Sequence, residues 1–193
     1  NLLDPHKNAT LKRLEVRQPI LTNEDLEKIR YVSELSENHF NTVTLDITFS
    51  NKDTKNDLQI ALNRLCEKAE KKVHEGHNII ILSDRFTNES RIPIPSLLAT
   101  SAVHHYLIKK GLRTSVGLVI ETGEAREVHH FCMLAGYGAE AINPYLAFET
   151  IEQIRISLDE SITKDQSQER FIKAIDKGIM KVMSKMGISA YQS

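Results

Sequence analysis

One run of residues limits the possible folds of this chain more than any other: residues 79–82 read Ile-Ile-Ile-Leu, without a polar side chain between them. An uninterrupted, β-branched run of this kind is typical of a parallel strand that is covered by helices on both faces. Apolar residues at helical spacing precede it, from Leu58 to Val73, and a second helical segment, Pro95 to Lys110, follows it. The run is therefore predicted to be a central strand in an alternating strand–helix fold.

Three further strands fit the same alternation. The strands predicted from the sequence are Val43–Phe49, Asn78–Leu82, Thr114–Ile120 and Ala139–Ile142. A short helix is predicted from Thr22, another over Gly123–Ala135 with Thr122 as its cap, and a third over Tyr145–Ser157. Since strand–helix alternation favours a parallel sheet with right-handed crossovers, we expect an α/β fold with repeated strand–helix units. That sheet would be either part of a (β/α) barrel or doubly wound, with an extra C-terminal helix.

The whole chain, residues 1–193, is expected to be a single domain cut from a longer polypeptide. It divides into an extended arm (1–21), a strand–helix core (22–157) and the C-terminal helix (164–187). In that last helix, apolar residues recur every three or four positions, and Met180, Met183 and Met186 form an apolar stripe. The stripe is expected to be core, or an interface for sequence outside this chain.

Charge and hydropathy exclude several classes of protein. Lys and Arg total 25 against 26 Asp and Glu, so the basic excess that favours nucleic-acid binding is missing. No apolar run approaches the roughly 20 residues needed to cross a bilayer, and residues 1–6 do not resemble a signal peptide. We therefore expect a cytoplasmic protein that binds neither nucleic acid nor membrane. Cys66 and Cys132, within apolar helical patterns, are expected to be buried, unpaired thiols.

Polar side chains follow the predicted strands. Because the carboxyl ends of parallel strands meet at one edge, this edge is the default place for a ligand or partner. Besides Ser83, the candidate residues there are Asp84, Arg85, Glu121, Thr122, Asn143 and Tyr145. For Asp84 and Arg85, an ion pair that fixes a loop or an interdomain contact is favoured over a catalytic dyad.

Motifs for cofactors and catalysis are missing from the sequence. Neither a Walker loop nor G-x-G-x-x-G occurs, and residues 136–138, Gly-Tyr-Gly, suit a tight turn between a helix and a strand. Two histidine pairs occur, His104-His105 and His129-His130, but neighbours on a helix point about 100° apart and do not chelate together. One packed and one solvated histidine per pair is favoured over a metal site built from both pairs. We predict no catalytic, cofactor-binding or metal-binding residue in this chain.

Short blocks along the whole sequence carry a family resemblance. In chain order they are Asn1–Pro5, Ile20–Asn23, Leu82–Arg85, Ile94–Ala99, Ala102–His105, Gly111–Arg113, Glu121–Thr122, His129–Phe131, Gly136–Ala139, Asn143–Ala147 and Val182–Ser189. In this order and spacing they resemble the central domain of the glutamate synthase large subunit.

The resemblance implies a role without chemistry of its own. Glutamate synthases of this type join a glutaminase domain, which releases ammonia from glutamine, to an FMN and iron–sulfur domain, where 2-oxoglutarate becomes glutamate. The central domain aligns the two sites, and either ferredoxin or a nicotinamide-dependent small subunit supplies electrons. The family's catalytic cysteine, cluster cysteines and flavin barrel have no counterpart here, so no catalytic residue is carried over. The isolated chain is therefore expected to fold but to be inactive.

Two other hypotheses remain open at this point. The chain could be a free-standing α/β module that binds a small anionic metabolite at Arg85 and the neighbouring strand ends. Alternatively, it could be a metal enzyme based on its histidines, which would require bound metal after purification.

Overall fold

A computed structural model describes residues 14–37, 39–52, 57–158, 161–191 and 193. The strands are β1 (Thr42–Asp46), β2 (Thr48–Ser50), β3 (Ile79–Ser83), β4 (Arg91–Pro93), β5 (Gly117–Glu121) and β6 (Ala141–Asn143). The helices are α1 (Asn23–Arg30), α2 (Val32–Leu35), α3 (Asp57–His74), α4 (Ser96–Lys109), α5 (Val128–Gly136), α6 (Tyr145–Leu158) and α7 (Lys164–Met186). A 3₁₀ turn, Arg113–Ser115, precedes β5.

Four strands form one parallel sheet in the order β1-β3-β5-β6, which confirms the predicted α/β fold. Every residue of β3 is buried, as expected for a central strand. The arm also joins the sheet, because Ile20 forms a parallel bridge with Ile142 beyond β6. Residues 1–13 of the predicted arm lie outside the described residues.

The predicted strand Val43–Phe49 is wrong as a single element. The parallel strand ends at Asp46, whose carboxylate accepts hydrogen bonds from the backbone and the hydroxyl of Thr48, both at 2.7 Å. The chain turns there, and β2 pairs in antiparallel fashion with β4 in a separate two-stranded sheet. Alternating apolar residues look the same in one long strand and in two short ones, so the sequence concealed the turn.

Two other predicted boundaries differ from the structure. The strand Thr114–Ile120 begins only at Gly117, because residues 113–115 form the 3₁₀ turn. The helix predicted over 123–135 starts five residues later, and Glu127, not Thr122, occupies its N-cap position. The hydroxyl of Thr122 donates to Asp84 and accepts from the backbone N–H of Glu124, in the segment that precedes the helix.

Helices cover both faces of the sheet. On the outer face, α4 packs on β3 and β5, and α3, α5 and α7 complete the same main core, with α7 packed on α5 and α6. On the inner face, Leu26 and Ile29 of α1 pack against Ile81 and Val119. Helix α1 starts beside the carboxyl end of β6 and ends beside the amino end of β1, so α1 crosses the inner face diagonally.

The last helix buries a different stripe from the one predicted. Ile172, Ile175, Ile179 and Met183 are in the core, whereas Met180 and Met186 are exposed. The three methionines therefore do not form one continuous stripe, because residues three apart drift by about 60° around a helix.

The cysteines are both free; Cys66 is buried and Cys132 half-buried. Burial raises the pKa of both thiols. Within the described residues, none of the helices combines the length and apolar character needed to cross a bilayer.

Candidate functional site

A layer of polar side chains ends the parallel sheet at its carboxyl edge. Asp46, Ser83, Glu121 and Asn143 are the last residues of β1, β3, β5 and β6, and each is in register with its neighbour. Because side chains alternate along a strand, residues in register point to the same side of the sheet. We call these four residues the polar layer; it faces α1.

Glu121 is the centre of the polar layer. Its carboxylate is buried and accepts hydrogen bonds from the Ser83 hydroxyl (2.6 Å), from Nε of Arg85 (2.7 Å) and from Nη2 of Arg30 (3.1 Å). Arg30 also donates to the Thr44 hydroxyl one step below the layer. A buried carboxylate needs such partners, because an unpaired charge away from water is very costly. The charge of Glu121 is therefore compensated by two guanidinium groups, one on each carboxylate oxygen.

Arg85 is fixed by three neighbours. Besides its bond to Glu121, its guanidinium lies 4.1 Å from the centre of the Tyr145 ring, and Nη1 lies 3.6 Å from Glu149. Its side chain remains 38% exposed. The positive charge is thus directed at carboxylates and an aromatic face, which leaves little of it to attract an anionic metabolite.

Asp84 has other partners than Arg85, and the predicted ion pair between these two residues is wrong. Its carboxylate accepts from the Thr122 hydroxyl (2.6 Å) and from the backbone N–H of Gly123 (3.0 and 3.1 Å). The Tyr145 hydroxyl, a further donor, also favours the charged form of this carboxylate. Burial raises the pKa of Asp84, although these three donors oppose the shift. The pKa of Tyr145 is raised as well, first by burial and then by Asp84.

Asn143 connects the sheet to the arm and to α1. Its side-chain Nδ2 donates to the backbone carbonyl of Leu21 (3.0 Å) and to Oδ1 of Asn23 (2.9 Å). The backbone carbonyl of Asn143 accepts from the backbone N–H of Thr122 (3.0 Å). The side chain is fully buried, and its Oδ1 has no hydrogen-bond partner among the described residues. The two Nδ2 acceptors fix which way the amide points.

Two backbone donors at this edge are occupied by carboxylates of the chain itself. Asp84 holds the N–H of Gly123, and Glu124 accepts from the N–H of Ser96 (2.6 Å) at the start of α4. Free backbone donors after a strand or at a helix start are common binding sites for phosphate. In this chain both N–H groups already donate to carboxylates of the chain.

Sequence reasoning brought six candidates to this edge, and the structure places all of them there, but their roles remain predictions. It missed Arg30 and Asn23, which come from α1 on the inner face. Nothing local distinguishes Arg30 from any cation in the last turn of a helix, where the helix dipole favours it.

His104, of the first histidine pair, lies at the amino edge of the sheet, away from the polar layer. His104 accepts at Nδ1 from Nε of Arg113 (2.9 Å), and burial, followed by the charge of Arg113, lowers its pKa. Arg113 also donates to the carbonyl of Gly138 (2.9 Å) and to Glu140 (3.0 Å), closing the amino edge of the sheet. An open cavity lies beside this cluster, under the inner face. Among the described residues, no three His, Cys, Asp or Glu side chains are grouped to hold a metal ion.

Comparison with known proteins gives a consistent family. The sequence profile described as "Glutamate synthase central domain" matches residues 1–193. The chain is 42% identical over 195 residues to the NADH glutamate synthase of Schizosaccharomyces pombe, covering 100% of this chain and 9% of that protein. It is 42% identical over 196 residues to the NADPH glutamate synthase large chain of Bacillus subtilis, covering 100% and 12%. A ferredoxin-dependent glutamate synthase of Pyropia yezoensis is 35% identical over 205 residues, covering 100% and 13%. The chain thus spans 9–13% of these relatives.

Solved structures with the same fold are barrel-like flavoproteins. A mutant flavocytochrome b2 with benzoylformate superposes with a TM-score of 0.58 at 12% identity, over 84% of this chain and 36% of that chain. A second mutant, with pyruvate bound, gives 0.54 at 13% identity, over 89% and 51%. At this identity the likeness concerns the fold alone.

Proposed function

The chain belongs to the glutamate synthase central domain family, and from that premise we propose that it is a coupling domain without a cofactor or active site of its own. In this proposal it joins a glutaminase domain to an FMN and iron–sulfur domain of the same polypeptide. Together they convert glutamine and 2-oxoglutarate to glutamate in the cytoplasm. The electron donor would be ferredoxin or a nicotinamide-dependent small subunit, since relatives of both kinds match the chain.

The observation that carries the proposal is the occupied carboxyl edge of the sheet. In a barrel, catalytic and phosphate-binding groups sit at this edge. In this chain Asp84 and Glu124 hold the backbone donors of Gly123 and Ser96, and Arg30 pairs with Glu121 across the inner face. At these two positions a flavin phosphate would meet carboxylates instead of free N–H groups. This supports the proposal that the fold of a flavin barrel is used here without flavin.

An occupied edge can still orient neighbouring domains. The polar layer is rigidly connected on the inside, whereas Arg85 and the adjoining loop remain partly exposed. An edge with a fixed interior and polar side chains outside suits contact with another domain, since interdomain interfaces resemble polar protein–protein interfaces. This supports a role in holding two active sites in fixed relation.

The test uses the complete polypeptide. Arg85→Ala removes the exposed end of the network, and Lys71→Ala on α3 serves as an exposed control. We expect glutamine hydrolysis and reductive amination, each measured separately, to stay within about twofold for Arg85→Ala. The fraction of released nitrogen that is recovered in new glutamate should fall, while the control keeps it.

Two results would refute the proposal. One is an unchanged nitrogen recovery for Arg85→Ala. The other is saturable flavin binding by the isolated chain of residues 1–193, followed by flavin fluorescence, because that would make the chain a cofactor domain.

A further inference from the structure

Helix α7 carries an unusual charged surface on its solvent side. Five basic residues, all exposed, lie within an arc of about 120° and extend for about 22 Å along the helix. We call them the basic face: Arg170, Lys173, Lys177, Lys181 and Lys185. The acidic residues of the helix, Asp165, Glu169 and Asp176, lie outside this arc. The whole chain has a net charge of -1, so the basic face is a local concentration of charge.

The basic face is not explained by stability. Like charges four residues apart repel each other on a helix, and the four lysines contain three such steps. Some lysines elsewhere in this chain have acidic partners: Lys28 lies 2.8 Å from Glu24, and Lys72 lies 2.6 Å from Glu75. The helix dipole favours Lys185, in the last turn, but not the lysines in the middle.

Most of the basic face lacks an opposite charge within the chain. Lys173 pairs with Glu169 at 2.8 Å. Across the described part of the chain, no carboxylate lies within ion-pair distance of Lys177, Lys181 or Lys185. The opposite side of the helix is fixed, because Ile175, Ile179 and the other buried residues hold it in the core. The lysines are therefore presented outward at regular intervals of about 6 Å.

We propose that the basic face docks a carboxylate-rich helical segment of the same polypeptide, outside residues 1–193. This rests on the proposed function, in which the chain is one domain of a much longer protein, as in relatives of which it spans 9–13%. A helix with Glu or Asp at four-residue spacing presents charges at the same interval of about 6 Å and matches the lysines one to one.

The strength of such a contact favours a segment of the same chain over a separate protein. Each exposed ion pair changes a binding constant by only about 1.4- to 5-fold, so four pairs together contribute about 100-fold. Between separate proteins at micromolar concentration this is too little for stable binding. For a segment tethered by the polypeptide at millimolar effective concentration, an association constant of about 100 M⁻¹ gives an occupancy of roughly one tenth, about a thousandfold above that of a separate protein at micromolar concentration.

An anionic bilayer is the competing occupant, and the structure disfavours it. Helices that bind membranes place their apolar face in the lipid. In α7 that face is already packed in the core.

The experiment is zero-length carbodiimide cross-linking of the complete polypeptide, with the products identified by mass spectrometry. We expect cross-links from Lys173, Lys177, Lys181 and Lys185 to one acidic segment outside residues 1–193. Their yield should fall at least about fivefold between roughly 0.01 M and 1 M salt, because the Debye length shortens from about 30 Å to about 3 Å.

A triple variant tests whether the lysines act together. Lys177→Gln, Lys181→Gln and Lys185→Gln, made jointly, should lower the yield of the remaining Lys173 cross-link to that segment about fivefold. Gln keeps nearly the same helix propensity as Lys, so α7 should remain folded. The matched control is Lys28→Gln, Lys68→Gln and Lys71→Gln, which removes three exposed lysines elsewhere and should leave the yield unchanged.

Three outcomes would overturn the inference: cross-links confined to residues 1–193, cross-links only to another polypeptide, or lysine-dependent binding of the complete protein to vesicles rich in phosphatidylserine. None of them bears on nitrogen recovery in the Arg85→Ala variant, so failure here and failure of the proposed coupling role can be told apart.

Discussion

Replacing Glu121 by Gln is expected to destabilise the isolated chain by about 2–3 kcal/mol. The carboxylate is 3% exposed and accepts from two guanidinium groups and one hydroxyl. Removing one partner of a fully buried ion pair costs about 3–5 kcal/mol, because the other charge stays behind without compensation. Here the side chains left behind, Arg30 and Arg85, are 22% and 38% exposed, so water compensates part of that loss and the lower figure follows.

The measurement is urea unfolding of the isolated chain. With a slope of about 2 kcal/mol per M for a protein of this size, the midpoint should fall by about 1–1.5 M while the slope stays constant. The control is Glu149→Gln, which also removes a carboxylate beside Arg85. Glu149 is 52% exposed and 3.6 Å away, so its loss should change stability by less than about 0.5 kcal/mol. Equal effects of the two substitutions would refute the central place given to Glu121.

Three further substitutions test the packing and the electrostatics. Gly138 has φ +106°, and a Cβ there would lie 2.1 Å from a histidine ring nitrogen, so Gly138→Ala should cost about 2–4 kcal/mol in urea unfolding. Gly136→Ala, two residues earlier with open space around it, should instead stabilise by about 0.5–1 kcal/mol. Gly178→Ala should lower the free energy of unfolding by about 1–3 kcal/mol, because the new Cβ would lie 2.2 Å from the Val128 side chain. Adding Val128→Ala should restore part of that loss, and simple additivity of the two losses would contradict the contact. Burial raises the pKa of Asp84, so the contribution of this residue to stability is present below the unfolded pKa of 3.8 and is lost as the pH rises through the folded pKa. The loss of stability in Asp84→Asn should therefore shrink as the pH rises from about 4. A loss of stability that grows with pH would show that the pKa is shifted in the opposite direction.

Local patterns were sufficient to predict the parallel sheet. The apolar run at residues 79–82 marks a strand buried on both faces, and helices of regular period flank it. The short elements were harder. Asp46 turns the chain through its own side-chain hydrogen bonds, and such a bend leaves no mark on the alternation of apolar residues. Thr122 was interpreted as a helix cap because the competing partner, Asp84, lies 38 residues away.

The site was only partly accessible to sequence reasoning. Glu121 and Asn143 were found because they follow strands, and parallel strands bring their ends together. Arg30 was not predicted as part of the site, because it and its partner Glu121 are 91 residues apart in the sequence. One signal could have helped: each of the four parallel strands ends in a polar residue, and register places those four side by side.

The bridge between the arm and β6 has a consequence for synthesis at the ribosome. Leu21 and Asn23 leave the ribosome early, but their partner Asn143 follows about 120 residues later. At about 5–20 residues per second, this delay lasts roughly 6–25 s. Until β3 and β5 have followed, Leu26 and Ile29 of α1 lack their partners Ile81 and Val119 and expose apolar surface in the nascent chain. This segment is thus synthesised before the strand that anchors it, and during the interval its apolar side chains are a binding site for a chaperone.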